Sequence, residues 1–290
     1  MAAVPNQVLM PANFQELFTV WNRFPDAVPL AGGAGLIRYQ QKHLPVLPGN
    51  IISLDNVNEL KKIARTERYL DIGAMVRLNE IISLGKIVPR IFTMTLEGMA
   101  GLHVRNIATI GGNLCDRYNR LDCAAPLAAL DAHFELRSAA SARWISATRF
   151  LTPCPPALLP QELLTRVRIP LEHWDYSRYR KFNTPGSNKS GNVIVLLMKN
   201  EKNILTDIRT AYSGAGLWQN RESRKILVGK NLPLAQKEVK LFFDDWKKYL
   251  KNQEAVSERT NPGYLSSAGE LINAQIMGFI EDTILNFTDF

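Results

Sequence analysis

The sequence predicts an α+β protein of two domains. Three observations carry this reading. The chain has 290 residues, about two domains at roughly 150 residues each. Apolar residues make up 46% and charged residues 21%, a globular balance that excludes disordered and collagen-like chains. Helix-periodic and strand-alternating stretches intermingle up to residue 175; beyond it, strand-like runs lead into a mostly helical C-terminal third.

Phe14–Trp21 is an amphipathic helix with Leu17, Phe18 and Trp21 on one face. Asn13 caps it, with Glu16 three residues on. The short run Ala27–Leu30 leads into Ala31-Gly32-Gly33-Ala34-Gly35-Leu36, and Ile51–Asp55 is a second strand. The first 55 residues thus form a small α/β unit with a glycine turn after a strand. Tyr69–Ala74 is a strand, Leu78–Leu84 a short helix, and residues 87–103 one helix with Ile91, Met94, Leu96 and Met99 as apolar members. Val104–Leu114 is a loop with a second glycine pair, and Ala124–Leu130 an apolar helix. His133–Leu136 and Leu164–Ile169 alternate like half-buried strands, with Pro153, Pro155, Pro156 and Pro160 breaking structure between them. After a polar loop over 183–192 come strands at Val193–Met198 and Ile208–Tyr212, then helices over Leu234–Leu250 and Ala268–Leu285.

The three cysteines, Cys115, Cys123 and Cys154, cannot form a disulfide framework or supply the four thiolates of a cluster or zinc site. Their number suits a reducing cytosol, and the protein is expected to be cytoplasmic. The N-terminus carries no signal-peptide pattern, and no apolar run approaches the ~18 residues of a membrane span. The net charge of +8 points to an anionic partner: nucleic acid, phosphate or an acidic subunit. Lys237, Lys240, Lys247, Lys248 and Lys251 lie at helical spacing with Asp244 and Asp245, as on a solvated helix face. Phe242, Phe243 and Trp246 fall on its apolar side, so no stacking platform for nucleic acid is expected. The histidines His43, His103, His133 and His173 are scattered. No catalytic set and no metal-ligand set is predicted.

The two glycine loops carry the candidate chemistry. Leu30–Gly35 offers backbone amides without Cβ obstruction. Thr109-Ile110-Gly111-Gly112-Asn113 adds a hydroxyl and a carboxamide. Neither loop matches the P-loop or the Rossmann fingerprint. Either loop alone is also compatible with an ordinary turn.

Together and in this order, the loops give the chain a resemblance to the FAD-binding medium subunit of the molybdenum hydroxylases, the xanthine dehydrogenase family. The resemblance runs nearly end to end. It is carried by Leu30–Gly33, by Leu70–Ala74 with Leu78, and most specifically by the eleven residues Val104-Arg105-Asn106-Ile107-Ala108-Thr109-Ile110-Gly111-Gly112-Asn113-Leu114. It continues through Asp122, Ala125-Pro126, Ala129–Ala132, Leu163–Pro170, Tyr179–Lys181, Ile208–Gly216 and Gly229-Lys230. It implies an FAD-binding domain of the p-cresol methylhydroxylase type, with lobes at 1–55 and 56–175. FAD would lie between them, and a C-terminal domain of antiparallel sheet and helical bundle would occupy 176–290. By position, Pro29, Leu30, Ala31, Gly32, Gly33, Ala34, Gly35 and Leu36 would wrap the FAD pyrophosphate. Thr109, Ile110, Gly111, Gly112 and Asn113 would bind phosphate and ribityl oxygens, and Asp122 a cofactor hydroxyl. Met99 and Leu164 would pack on the isoalloxazine ring, and Arg180 or Lys181 would place a cation near it. The implied partners are an iron–sulfur subunit and a molybdopterin-binding large subunit, with no nucleic acid and no membrane. The implied role is electron transfer from those clusters to an external acceptor. A scaffold subunit and a free-standing flavoprotein of the same fold are the alternatives. The chain departs from the family pattern at Ala34-Gly35, where the family has Thr-Asp or Ser-Asp. It departs again at Asp116–Arg120, which replaces small residues, and at Thr184–Asn192.

Overall fold

A computed structural model describes residues 7–35, 48–116, 121–152, 156–182, 192–214, 216–260 and 268–288. The fold is α+β and divides into two compact units, one of residues 1–118 and 130–171, the other of 119–129 and 172–290. Residues 121–129, numbered inside the expected second lobe, therefore pack with the later part of the chain.

The first unit opens with a three-stranded parallel sheet of β1 (Gln7–Leu9), β3 (Asn50–Ser53) and β2 (Val28–Leu30), with β3 central. Consecutive Ile51 and Ile52 are both buried, as a parallel strand covered on two faces requires. Between β1 and β2 runs α1 (Phe14–Arg23), burying Leu17, Phe18 and Trp21. Its N-cap is Asn13, whose side chain accepts the Glu16 amide at 2.9 Å.

The same unit holds a five-stranded antiparallel sheet in the order β4 (Ile63–Arg65), β5 (Tyr69–Gly73), β8 (Leu163–Pro170), β6 (His133–Arg137), β7 (Ala142–Ser146). Alternation on β8 sends Val167 and Ile169 into the core and Arg166 and Arg168 to the other face. There Arg168 binds both Asp71 oxygens, at 2.7 and 2.8 Å, and stacks on the Trp144 ring. Burial alone would raise the Asp71 carboxyl, but Arg168, with Arg166 behind it, holds it below the usual carboxylate range.

Between β5 and β6 lie α2 (Leu78–Ser83), α3 (Arg90–Gly98), α4 (Leu102–Arg105) and α5 (Ile110–Leu114), and the short α7 (Ala147–Leu151) follows β7. The single helix expected over 87–103 is thus two. Pro89 starts α3 and the chain leaves it at Met99, because Ala100 adopts a left-handed conformation at φ 44°. The stretch expected as a loop at 104–114 contains α5, which Thr109 caps by accepting the Gly112 amide at 3.1 Å.

The second unit is built on a four-stranded antiparallel sheet in the order β12 (Leu217–Trp218), β11 (Ile204–Ser213), β10 (Asn192–Glu201), β9 (Tyr176–Phe182). Ile194, Leu196 and Met198 face a core shared with α9 (Gln236–Thr260) and α10 (Ala268–Thr288), centred on Trp246, Phe242, Ile276 and Phe279. The short α8 (Arg224–Leu227) adds Leu227 to it. The intervening residues of β10 are buried as well, and α6 (Ala124–Ala129), apolar throughout, packs on β10 and β11. Among the described residues no helix is long and apolar enough to cross a membrane.

Candidate functional site: two packed glycine loops and an acid–base pair

In the first unit the two glycine segments meet. Gly32 lies so close to the second segment that a Cβ added to it would fall 1.7 Å from the Ile107 carbonyl oxygen. Only glycine permits this approach. Gly33 follows at φ +69°, with nothing among the described residues within 4 Å of an added Cβ, and the chain turns helical at Ala34. Among the described residues, the Gly32 and Gly33 amides donate to no backbone carbonyl. They remain available to an anion, as the reading of the first loop requires.

In the second segment the backbone amides of residues 110–113 already have partners: Ile110 N–H donates to Val76, Gly111 to Ala74, Gly112 to Thr109 Oγ1 and Asn113 to the Thr109 carbonyl. The Leu78 amide returns a bond to Ala108. The glycines here serve close packing, since a Cβ at Gly111 would stand 2.8 Å from both Ala74 Cβ and its carbonyl oxygen. What the segment keeps for a ligand is a side-chain acceptor. Among the described residues, Asn113 Oδ1 is buried and has no hydrogen-bond partner, a state that calls for a further polar group.

Pro29 and Leu30 end β2, and Ala31 touches the second segment, its Cβ 3.9 Å from one built on Gly112. Gly35 is exposed, and Leu36 lies outside the described residues. Met99 and Leu164 belong to this unit and are 5% and 2% exposed. They are part of its core, so at most their edges are open to a ring.

Asp122, Arg180 and Lys181 belong to the second unit. Strand alternation puts the two cations on opposite faces of β9. Arg180 pairs in register with Ile194 on the helix side and lies 3.8 Å from Asp282 and over the Phe279 ring. Lys181 pairs with Val193, and its Nζ donates to Asp122 Oδ2 at 2.5 Å. Asp122 is 4% exposed and Lys181 is its ion-pair partner among the described residues. Of the alternatives Arg180 and Lys181, the chain thus joins only Lys181 to Asp122. Cys123, next to Asp122, is fully buried. Burial pushes its thiol well up, with the Asp122 charge adding to the effect and Lys181 opposing it. Burial, then the Asp122 charge, also pushes the Tyr179 hydroxyl up, and among the described residues that hydroxyl has no hydrogen-bond partner. Cys115 and Cys123 fall in different units. The segment Arg117–Arg120, Cys154 and residues 184–191 lie outside the described residues. Among those described, no group of three or more His, Cys, Asp or Glu is placed to hold a metal ion.

The sequence pointed to the loops but not to what lies under them. Ile107 and Ala74 as packing partners of Gly32 and Gly111 left no signal; they follow from tertiary contacts alone. The free amides of Gly32 and Gly33 and the orphaned acceptor on Asn113 fit a group bearing both phosphate oxygens and hydroxyls, as FAD does.

Comparison with known proteins agrees. A family model described as "FAD binding domain in molybdopterin dehydrogenase" matches residues 4–172. The glyceraldehyde dehydrogenase medium chain of Sulfolobus acidocaldarius is 27% identical over 209 residues, covering 70% of this chain and 74% of that one. Aldehyde oxidase 1 of Bos taurus is 26% identical over 230 residues, but this chain spans only 17% of its length. The solved structure of quinoline 2-oxidoreductase from Pseudomonas putida 86 superposes with a TM-score of 0.78 over 100% of this chain and 99% of that one. At 23% identity this likeness establishes the fold.

Proposed function

Because the chain belongs to the family of the FAD binding domain in molybdopterin dehydrogenase, and is thereby an oxidoreductase component with FAD as its cofactor, we propose that it is the electron-relay subunit of a multi-subunit molybdenum hydroxylase. It would take electrons from iron–sulfur clusters on a partner chain and deliver them to an external acceptor. The observation that carries this is the packed pair of glycine loops, with the Gly32 and Gly33 amides free and Asn113 Oδ1 orphaned.

Bound FAD supplies reversible one- and two-electron chemistry. The residues supply binding and electrostatics. Leu30–Leu36, led in by Pro29, which has no N–H to give, would hold the pyrophosphate mainly through backbone amides, which makes the Ala34-Gly35 departure tolerable. Thr109 and Asn113 would meet its oxygens through side chains rather than amides, with Ile110, Gly111 and Gly112 holding the backbone in place. Met99 and Leu164 would limit the ring pocket with apolar edges. In the second unit, Asp122, fixed by Lys181, would accept from a cofactor hydroxyl. The Lys181 charge is balanced by Asp122; Arg180, on the other face, is assigned to packing against Asp282. In this proposal residues 1–55 and 56–175 are the two lobes of the cofactor domain, and 176–290 the C-terminal domain.

Support for separate metal-bearing partners comes from the cysteine count, since three thiols cannot ligate a cluster. The name "medium chain" carried by the Sulfolobus relative also marks that protein as one chain of several. The cysteine usage supports a cytoplasmic setting. The test is the visible spectrum of the purified chain, reconstituted with FAD. Flavin bands at roughly 370 and 450 nm, bleached on reduction, are expected. Their absence after reconstitution refutes the proposal. Native co-purification with molybdenum and iron in the complex tests the partners.

A further inference from the structure

The guanidinium of Arg105 has no role in the scheme above, yet it makes three contacts at one place. Its Nη1 donates to the carbonyls of Glu97, Met99 and Ala100 at 3.2, 2.9 and 2.8 Å. The first lies in the last turn of α3, which ends at Gly98, and the other two belong to the turn that follows it. Among the described residues no backbone amide reaches the Met99 or Ala100 oxygen, so Arg105 is what closes this end. The turn it closes is strained, since Ala100 is a non-glycine residue at φ 44°, and such a conformation persists only where the surroundings enforce it. Within the exposed stretch 97–104 Met99 alone is buried. Arg105 itself ends α4, whose following residues lead at once to the Ile107 carbonyl under Gly32. One side chain therefore ties the Met99 turn to the start of the second glycine segment.

We propose that Arg105 is a positioning residue of the cofactor site: by bracing the Met99–Ala100 turn against α4 it sets where Met99 stands and where the Ile107 carbonyl meets Gly32. A single cation shared among three carbonyls suits this task, because charge-assisted bonds are shorter and stronger than neutral ones. No other side chain among the described residues bridges these two segments by a hydrogen bond. The inference rests on the reading that Met99 borders the FAD ring.

The test compares Arg105→Ala, Arg105→Lys, Met99→Ala and the double variant Met99→Ala/Arg105→Ala in the full chain, each loaded with FAD. The readouts are FAD dissociation by flavin fluorescence, the visible circular dichroism of the flavin, and its midpoint potential. Arg105→Ala is expected to weaken FAD binding about tenfold, the scale of one charge-assisted hydrogen bond. It should also move the dichroism and potential in the direction that Met99→Ala moves them. The double variant should move them no further than the larger single change, because the two act through one element. Arg105→Lys, which keeps a cation on a single nitrogen, should fall partway. Unchanged dichroism and potential in Arg105→Ala, with only a lower melting temperature, or additive effects in the double variant, would overturn the inference. Should Arg105→Ala not fold, an unmoved Arg105→Lys overturns it equally. If Met99→Ala itself leaves the flavin signals untouched, the reading of Met99 at the ring fails and the inference with it. A silent Arg105→Ala beside an active Met99→Ala removes the inference alone.

Discussion

Replacing Gly32 by alanine should disable cofactor binding for a reason different from the one usually given for glycine loops. The added Cβ would stand 1.7 Å from Ile107 O and 2.7 Å from the Ile107 carbonyl carbon. An ordinary carbon–oxygen contact needs about 3.3 Å, so the two loops must part by roughly 1.6 Å. The obstacle is backbone, and no rotamer change relieves it. Overpacking of this kind costs about 3 kcal/mol, and a displacement above ~1 Å at a binding site lowers function about a hundredfold. Two neighbours separate this effect from simple loss of flexibility. Alanine at Gly33 meets nothing within 4 Å but must adopt φ +69°, at a cost of about 1 kcal/mol. Alanine at Gly35 meets nothing within 4 Å among the described residues and needs no left-handed backbone, so it should stay within ~0.5 kcal/mol of the parent. Fluorescence titration of FAD into the three variants should therefore rank them Gly32→Ala far weakest, Gly33→Ala intermediate, Gly35→Ala near the parent. Wild-type affinity in Gly32→Ala, or an equal loss in Gly35→Ala, would refute the packing argument.

Lys181→Met should destabilise the second unit by about 3 kcal/mol in urea, because it strands the buried Asp122 carboxylate, whereas adding Asp122→Asn should restore most of the loss. Thr109→Val removes the acceptor of the Gly112 amide and should cost about 1 kcal/mol, with Thr109→Ser unchanged. Glu162 is bound by Arg143 at 2.6 and 2.7 Å and by the Leu159 amide. Burial alone would raise its carboxyl, but these partners hold it below the ordinary glutamate range. Because the folded-state value is the lower one, the stabilisation is complete above the unfolded-state value, around pH 4–5. It is lost as pH falls through the folded-state value. The stability gap between the parent and Arg143→Gln, read from denaturant midpoints, should be full at pH 7 and close below about pH 4; a gap that widens on acidification would contradict this.

Elements whose determinants are local could be read from the sequence. Asn13 and Glu16 announce α1 because a cap acts within one turn. The apolar α6 and the alternating β8 announce themselves by burial pattern. Elements set by distant contacts could not. The split between α3 and α4 depends on a left-handed alanine and a guanidinium reaching back from Arg105, neither of which alters hydrophobic periodicity. The strand β9 hides because Tyr176–Phe182 is mostly half-buried and carries three cations, so its alternation is not one of apolar and polar. The same limit applies to the site. The glycines were visible, and so was their likeness to a family. That Gly111 and Gly112 are packing residues whose amides are already bonded follows only from where Ala74 and Thr109 lie.

The adjacent cations of β9 carry a lesson about order. Arg180 and Lys181 are interchangeable in any tally of charge, and swapping the two letters would leave mass, isoelectric point and the +8 of the chain untouched. The swap would nonetheless hand Asp122 a broad, forked guanidinium where a compact ammonium now fits, and leave a lysine to face Phe279 and Asp282. A permutation invisible to composition would thus rewrite the electrostatics on both sides of one strand. Relatives of this protein are better compared at this dipeptide by sequence order than by the sum of its charges.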